Sequence, residues 1–209
     1  MSKSKLSYGV YNGKALKEFL ENSGILFLTV FFSIGILVGS LVCKTDSSVY
    51  SDIQHIIGDY LEIRNEQGIA DNLFTSLCIN LTFNLSCIFL AFSLIGYPFL
   101  LWIPFIRGLG IGMLSGLLYS LYRFTGLGYC VLTVYPAAAV YAIVLILSCN
   151  DSCIYSKNAY AKALRGRGQF ERDETKIFLT RQFIYILVCA VSSVIDAFSN
   201  ALFSGLFEI

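Results

Sequence analysis

Residues 72–106 read NLFTSLCINLTFNLSCIFLAFSLIGYPFLLWIPFI, a long run without a single charge. A hydrocarbon layer ~30 Å thick is crossed by about 20 residues at ~1.5 Å rise each, so this run is too long for one straight helix. Gly96-Tyr97-Pro98 is a tight-turn signal within it. The reading is a helix over 77–95, a turn, and a second helix over 99–121. Working outward, residues 24–43, 127–149 and 183–207 supply three more apolar segments of spanning length, for five spans in all. Lipid offers no partner to backbone N–H and C=O groups, so the segments are helices. The expected fold is an all-α polytopic membrane bundle, one integral membrane domain over 1–209. Its outlying parts are a start at 1–23, a loop at 45–71 and a basic loop at 150–182.

Composition agrees with this. Of 209 residues, 56% are hydrophobic and 14% charged, with a mean hydropathy of +0.69. A soluble domain carries about 25% charged residues, and this chain cannot cover a water-facing surface with polar groups. The net charge of +1 leaves no basic excess for nucleic acid. The charges are segregated along the chain. Lys3, Lys5, Lys14 and Lys17 precede the first span, and seven Lys and Arg lie between residues 151 and 182. With five spans both groups fall on one side, and the other side receives only Lys44, Arg64 and Arg123. This bias predicts a cytoplasmic N-terminus and a C-terminus outside, in the cell membrane. Merging the second and third helices would place the two basic segments on opposite faces, so the charges also support the hairpin. The first span is too long, and preceded by too much polar chain, for a cleaved signal peptide.

The 45–71 loop is acidic, with Asp46, Asp52, Asp59, Glu62, Glu66 and Asp71 against Arg64. Val49, Ile53, Ile56, Ile57, Tyr60 and Leu61 recur at helical spacing and predict one apolar face. On the other side, Ala159, Ala161 and Ala163 followed by Arg165-Gly166-Arg167-Gly168 predict a short helix and a glycine-broken turn.

No catalytic constellation is present. The single histidine, His55, has no ligand cluster, there is no HExxH or CxxC, and no metal or cofactor is expected. The seven cysteines are odd in number and sit mostly in apolar runs, which argues against a disulfide scaffold. Gly108-Leu109-Gly110-Ile111-Gly112 imitates a phosphate loop but lies inside a span. Gly108, Gly112 and Gly116 recur every four residues, and Gly35 and Gly39 repeat the device in the first span. Such strips let helix backbones approach closely, within one chain or between two copies. Arg107 and Asp196 are ionisable residues inside spans, where a charge is costly. Arg107 can snorkel to the cytoplasmic interface, line a transport path, or pair with Asp196. From the helical rise their axial offset is ~6 Å, within an arginine's reach if the third and fifth helices are neighbours.

Leu94-Ile95-Gly96-Tyr97-Pro98, then Ile106 to Gly112 around Arg107, Gly116, and the segment from Gly126 to Pro136 resemble the core of the stage II sporulation protein M family. Ala137-Ala138-Ala139 departs from it, because members often carry a polar residue just after the proline. The resemblance implies a non-catalytic multi-pass component of the forespore engulfment machinery. Such a protein would hold membrane-anchored peptidoglycan hydrolases at the septal membrane, in contact with membrane lipid and in one or more copies. The competing reading is the membrane subunit of a small transporter or ABC-type exporter with a separate ATPase.

Overall fold

The computed structural model describes residues 4–43, 54–56, 58–59, 63–64, 68–93, 96–164 and 172–203. The long elements are α1 (Ser4–Val42), α2 (Ile69–Phe92), α3 (Gly96–Tyr129), a π-helical turn (Cys130–Val134), α4 (Tyr135–Leu164) and α5 (Arg172–Phe203). Among the described residues there is no strand.

Ser23–Val42, Ile69–Phe92, Gly96–Ala161 and Asp173–Phe203 are long and apolar enough to cross a membrane. The third of these has 66 residues, ~100 Å of helix at ~1.5 Å per residue, three times what one crossing needs. Arg123 divides it, with φ 50° and ψ −123°. There the chain reverses, and Tyr135 Oη donates to Ser115 Oγ across the resulting hairpin at 3.1 Å. Gly126 sits where a Cβ would fall 2.2 Å from the Leu118 carbonyl, so only glycine fits this closure. Divided at Arg123, the third segment supplies two helices, which brings the helices long enough to cross a membrane to five.

The hairpin between α2 and α3 is tighter than the sequence reading. Helix α2 begins at Ile69 and stops at Phe92, with Ser93 N–H bonded to the Leu90 carbonyl. Gly96 is the first residue of α3 rather than the middle of a turn, and a Cβ on it would fall 1.8 Å from the Leu90 carbonyl. Pro98 falls in the first turn of α3, where its missing N–H breaks no helical bond. The other proline of the quoted motifs, Pro136, follows the π-helical turn. A proline clashes with the carbonyl four residues back, and the wider π turn accommodates this without ending the helix.

Three extensions exceed the sequence reading. The 1–23 start is helical from Ser4, continuous with the first span, and α4 runs unbroken past residue 149 to Leu164. No proline interrupts either stretch, and each is continuous with an apolar span that already fixes the helix. Helix α5 likewise starts eleven residues before Phe183. At this end Tyr155 stacks on Phe178 at 4.5 Å, and Phe92 meets both rings edge-on. The end carrying the α2–α3 turn and the α4–α5 connection is called the basic end below. The end carrying the α1–α2 connection and Arg123 is the acidic end. Of the amphipathic face in 45–71, only Ile56 is described, and it is exposed, as is His55; Val49, Ile53, Ile57, Tyr60 and Leu61 lie outside the described residues. So do Lys3, Lys44, Arg165 and Arg167.

The polarity of the bundle is that of a membrane protein. Phe89 and Phe124 are 77% and 80% exposed, while Asn84 and Ser193 are 0% exposed. In water such an arrangement would be strongly unfavourable, whereas in lipid it places apolar side chains against acyl chains and polar ones against each other. Helices α2 to α5 enclose the core around Leu100, Tyr141, Leu145 and Cys149, and α1 lies along α3 and touches α4. All seven cysteines are free.

Candidate functional site

Two seams hold the bundle, one of glycine and one of polar side chains. The glycine seam joins α1 to α3. A Cβ on Gly108 would fall 2.3 Å from the Phe32 carbonyl, and on Gly112 2.2 Å from that of Ile36. From the other side, Gly35 and Gly39 lie equally close to the carbonyls of Phe105 and Leu109, at 2.3 Å each. Gly116 stacks on Ser40 at 3.0 Å. The two strips face each other inside one chain. The helices approach backbone to backbone because hydrogen is the largest substituent that fits. Gly110 lies off this seam, with nothing within 4 Å of the position a Cβ would take.

The polar seam runs the length of the interface among α2, α4 and α5. Its α2 members, Asn72, Asn80 and Asn84, lie on one helix face at spacings of eight and four. Its α5 members, from Gln182 through Cys189, Ser192, Ser193 and Asp196 to Asn200, recur at three, four and seven. Toward the basic end, Ser148 Oγ stands between the side-chain oxygens of Asn84 at 2.8 Å and Gln182 at 2.7 Å. Asn84 Nδ2 donates to Cys189 Sγ at 3.1 Å. In the middle, Asn80 Nδ2 donates to Ser193 Oγ at 3.1 Å, and Tyr141 Oη donates to the Asn80 carbonyl at 3.0 Å. Ser192 Oγ donates to the Ala137 carbonyl at 2.9 Å. In the alanine run after Pro136, the backbone of Ala137 thus takes part in the polar contacts.

At the acidic end the seam is completed from outside the bundle. Arg64, from the acidic connection, inserts its side chain between α2 and α5. Its Nη2 lies 2.7 Å from Asp196 Oδ1, and the two side chains are 7% and 15% exposed. Its Nε donates to Asn200 Oδ1 at 3.3 Å, and its carbonyl accepts from Asn72 Nδ2 and Asn200 Nδ2 at 2.8 and 3.2 Å. Tyr129 Oη also donates to Asn200 Oδ1, at 3.1 Å.

This arrangement corrects the pairing of Arg107 with Asp196. Asp196 is taken by Arg64. Arg107 instead donates from Nη2 to Asn80 Oδ1 at 3.2 Å, with its Cζ 5.5 Å from the Phe83 ring centre and 5.0 Å from that of Tyr141. It does not snorkel, because its guanidinium points inward between α2 and α4. Helical rise fixes only depth along an axis, whereas an arginine from a connection reaches Asp196 from the side. The asparagines were legible as a repeating face on α2, a signal that attention to ionisable residues alone passes over.

Between Arg107 and the Arg64–Asp196 pair the four helices leave a cavity of about 290 Å³. Asn80, Tyr141 and Ser192 contribute polar groups to its wall, and Gly110 lines it on α3. A second cavity of about 680 Å³ lies near the basic end between α1, α3 and α4, where Lys157 Nζ rests 4.3 Å from the Tyr97 ring centre. Among the described residues no group of three His, Cys, Asp or Glu side chains is placed to hold a metal.

No curated protein and no solved structure matches this chain. The sequence model described as Stage II sporulation protein M matches residues 28–199. That match takes in both glycine strips, Arg64, Arg107, Pro136 and Asp196, and leaves out little beyond the helical start and the last residues. With more than four-fifths of its length matched, and with the multi-pass helical architecture described above, this membrane protein belongs to the Stage II sporulation protein M family.

Proposed function

We propose that the protein is a non-catalytic membrane scaffold that positions membrane-anchored peptidoglycan hydrolases during forespore engulfment. It is proposed to sit in the cell membrane with its N-terminus in the cytoplasm and its C-terminus outside. The observation that carries the reading is the use made of the interior polar groups. Asn84, Ser148, Gln182, Asn80, Ser193, Arg64, Asp196 and Asn200 are hydrogen-bonded to one another, which fixes helix register rather than presenting acid, base and nucleophile to a substrate. Family membership supports the sporulation context, and the acidic connection on the outer side supplies a surface for the partners.

The test is affinity capture of the full-length protein from detergent-solubilised membranes of sporulating cells, with partners identified by mass spectrometry. Recovery of peptidoglycan hydrolases, lost when residues 45–61 are replaced by a neutral linker, supports the scaffold. Recovery of a cytoplasmic ATPase without hydrolases favours the exporter reading, for which the intramembrane cavity is the observation in its favour.

A further inference from the structure

Arg107 is a charge inside the bundle that no carboxylate answers among the described residues. Among the described residues its one hydrogen bond is the 3.2 Å contact to Asn80, a neutral amide, and its Nε is buried without an acceptor. Phe83 and Tyr141 lie against the guanidinium, which steadies the cation without supplying an acceptor for its N–H groups. Among the described residues the one carboxylate lining the adjoining cavity is Asp196, and Arg64 already neutralises it. The cavity wall therefore carries one uncompensated positive charge. A cation held at that depth in a membrane calls for a counter-charge.

We infer that the cavity binds a single oxyanion, a phosphate or carboxylate group, with Arg107 as its principal ligand. A guanidinium offers paired N–H donors that match such a group, and Asn80 and Tyr141 hold it facing the cavity wall. The volume of about 290 Å³ exceeds that of the bare anionic group and leaves room for water or for the carbon skeleton that carries it. The same chemistry is presented by a small soluble anion and by an anionic lipid headgroup. The inference is independent of the scaffold reading.

Gly110 supplies a clean test. It lines the cavity, and no atom stands within 4 Å of its Cβ position, so Gly110→Leu fills the cavity without striking the glycine seam. Thermal unfolding of the full-length protein is to be followed in phosphatidylcholine nanodiscs, with sodium phosphate or sodium chloride at equal ionic strength. A second arm compares phosphatidylcholine nanodiscs with and without phosphatidylglycerol. The wild type is expected to be stabilised in one arm, the first identifying a soluble anion and the second a lipid headgroup. The concentration needed should rise about tenfold or more in Gly110→Leu and in Arg107→Gln, as expected for losing one charge-assisted contact. If Arg107→Gln fails to fold, Gly110→Leu decides. No stabilisation in either arm, or equal stabilisation in Gly110→Leu, overturns the inference.

Discussion

Asp196 and Arg64 illustrate how one side chain from a connection completes a membrane bundle. On insertion scales a charge at the centre of a span costs about 2.5–3.5 kcal/mol. With Nη2 2.7 Å from Oδ1 and Asn200 bonded to the same guanidinium, each partner here answers the other. Removing one strands the other, which for a buried pair costs about 3–5 kcal/mol. Arg64→Leu and Asp196→Leu should each lose most folded protein, while the double change recovers more than either single one, because no charge is then left unpaired. The cycle of Arg107→Leu with Asp196→Leu should instead show clearly weaker coupling, because these two side chains share a cavity wall but no hydrogen bond. Unfolding of all variants in mixed micelles by a denaturing detergent reads both cycles. Coupling between Arg107 and Asp196 as strong as that between Arg64 and Asp196 would contradict the contacts described. Both of these arginines were conspicuous in the sequence as ionic residues. Which group each of them meets was not, because pairing depends on where a loop folds back.

At the scale of elements, α1 is held chiefly by close backbone approach to α3. Gly112→Leu would drive a side chain into the Ile36 carbonyl and push the two helices apart, whereas Gly110→Leu meets open space. The expected outcome is a several-fold loss of membrane-inserted, monodisperse protein for Gly112→Leu and near wild-type recovery for Gly110→Leu, measured by immunoblot and size-exclusion chromatography. Equal behaviour would remove the packing argument. The α3–α4 reversal offers a second element-scale test. Arg123 occupies a positive-φ conformation that disfavours side chains, at a cost of order 1–3 kcal/mol. Glycine adopts it freely but loses more entropy on folding. Arg123→Gly should raise stability by about 1 kcal/mol, visible as a higher thermal midpoint in detergent. An unchanged or lower midpoint would count against strain at this turn. The spacing of the glycines was readable in advance, whereas the turn residue was not. Gly126 and Gly128 advertise a reversal nearby, but which residue takes the strained conformation follows from how the two helices dock.

For the whole molecule, five crossings bring both basic segments to one end of the bundle. The basic bias then predicts which side of the membrane that end faces. A reporter that works only outside the cytoplasm should be active when fused after Ile209 and inactive when fused after Gly168. Activity at Gly168 would reverse the proposed orientation, and activity at neither site would contradict the crossing number. The helical extensions of α4 and α5 lie at the same basic end, joined by the Tyr155–Phe178 stack and by Arg181 and Tyr185 meeting Asp151 at 3.5 and 2.9 Å.

The outer ends of the helices aside, the sequence by itself determined the membrane class, the all-helical fold, the two hairpin turns near Gly96 and Arg123 to within a few residues, and the two glycine strips. These are local properties. Hydropathy over about 20 residues, a Gly-Pro turn and a four-residue repeat each depend only on neighbours along the chain. Only the tertiary structure decided what the strips face, which arginine answers Asp196, and that Asn72, Asn80 and Asn84 form one continuous seam with α5. Those outcomes depend on the relative rotation and depth of separate helices, set by many packing contacts at once. An arginine in a loop and a carboxylate in a span are 132 residues apart in sequence and 2.7 Å apart in space, and no periodicity connects them.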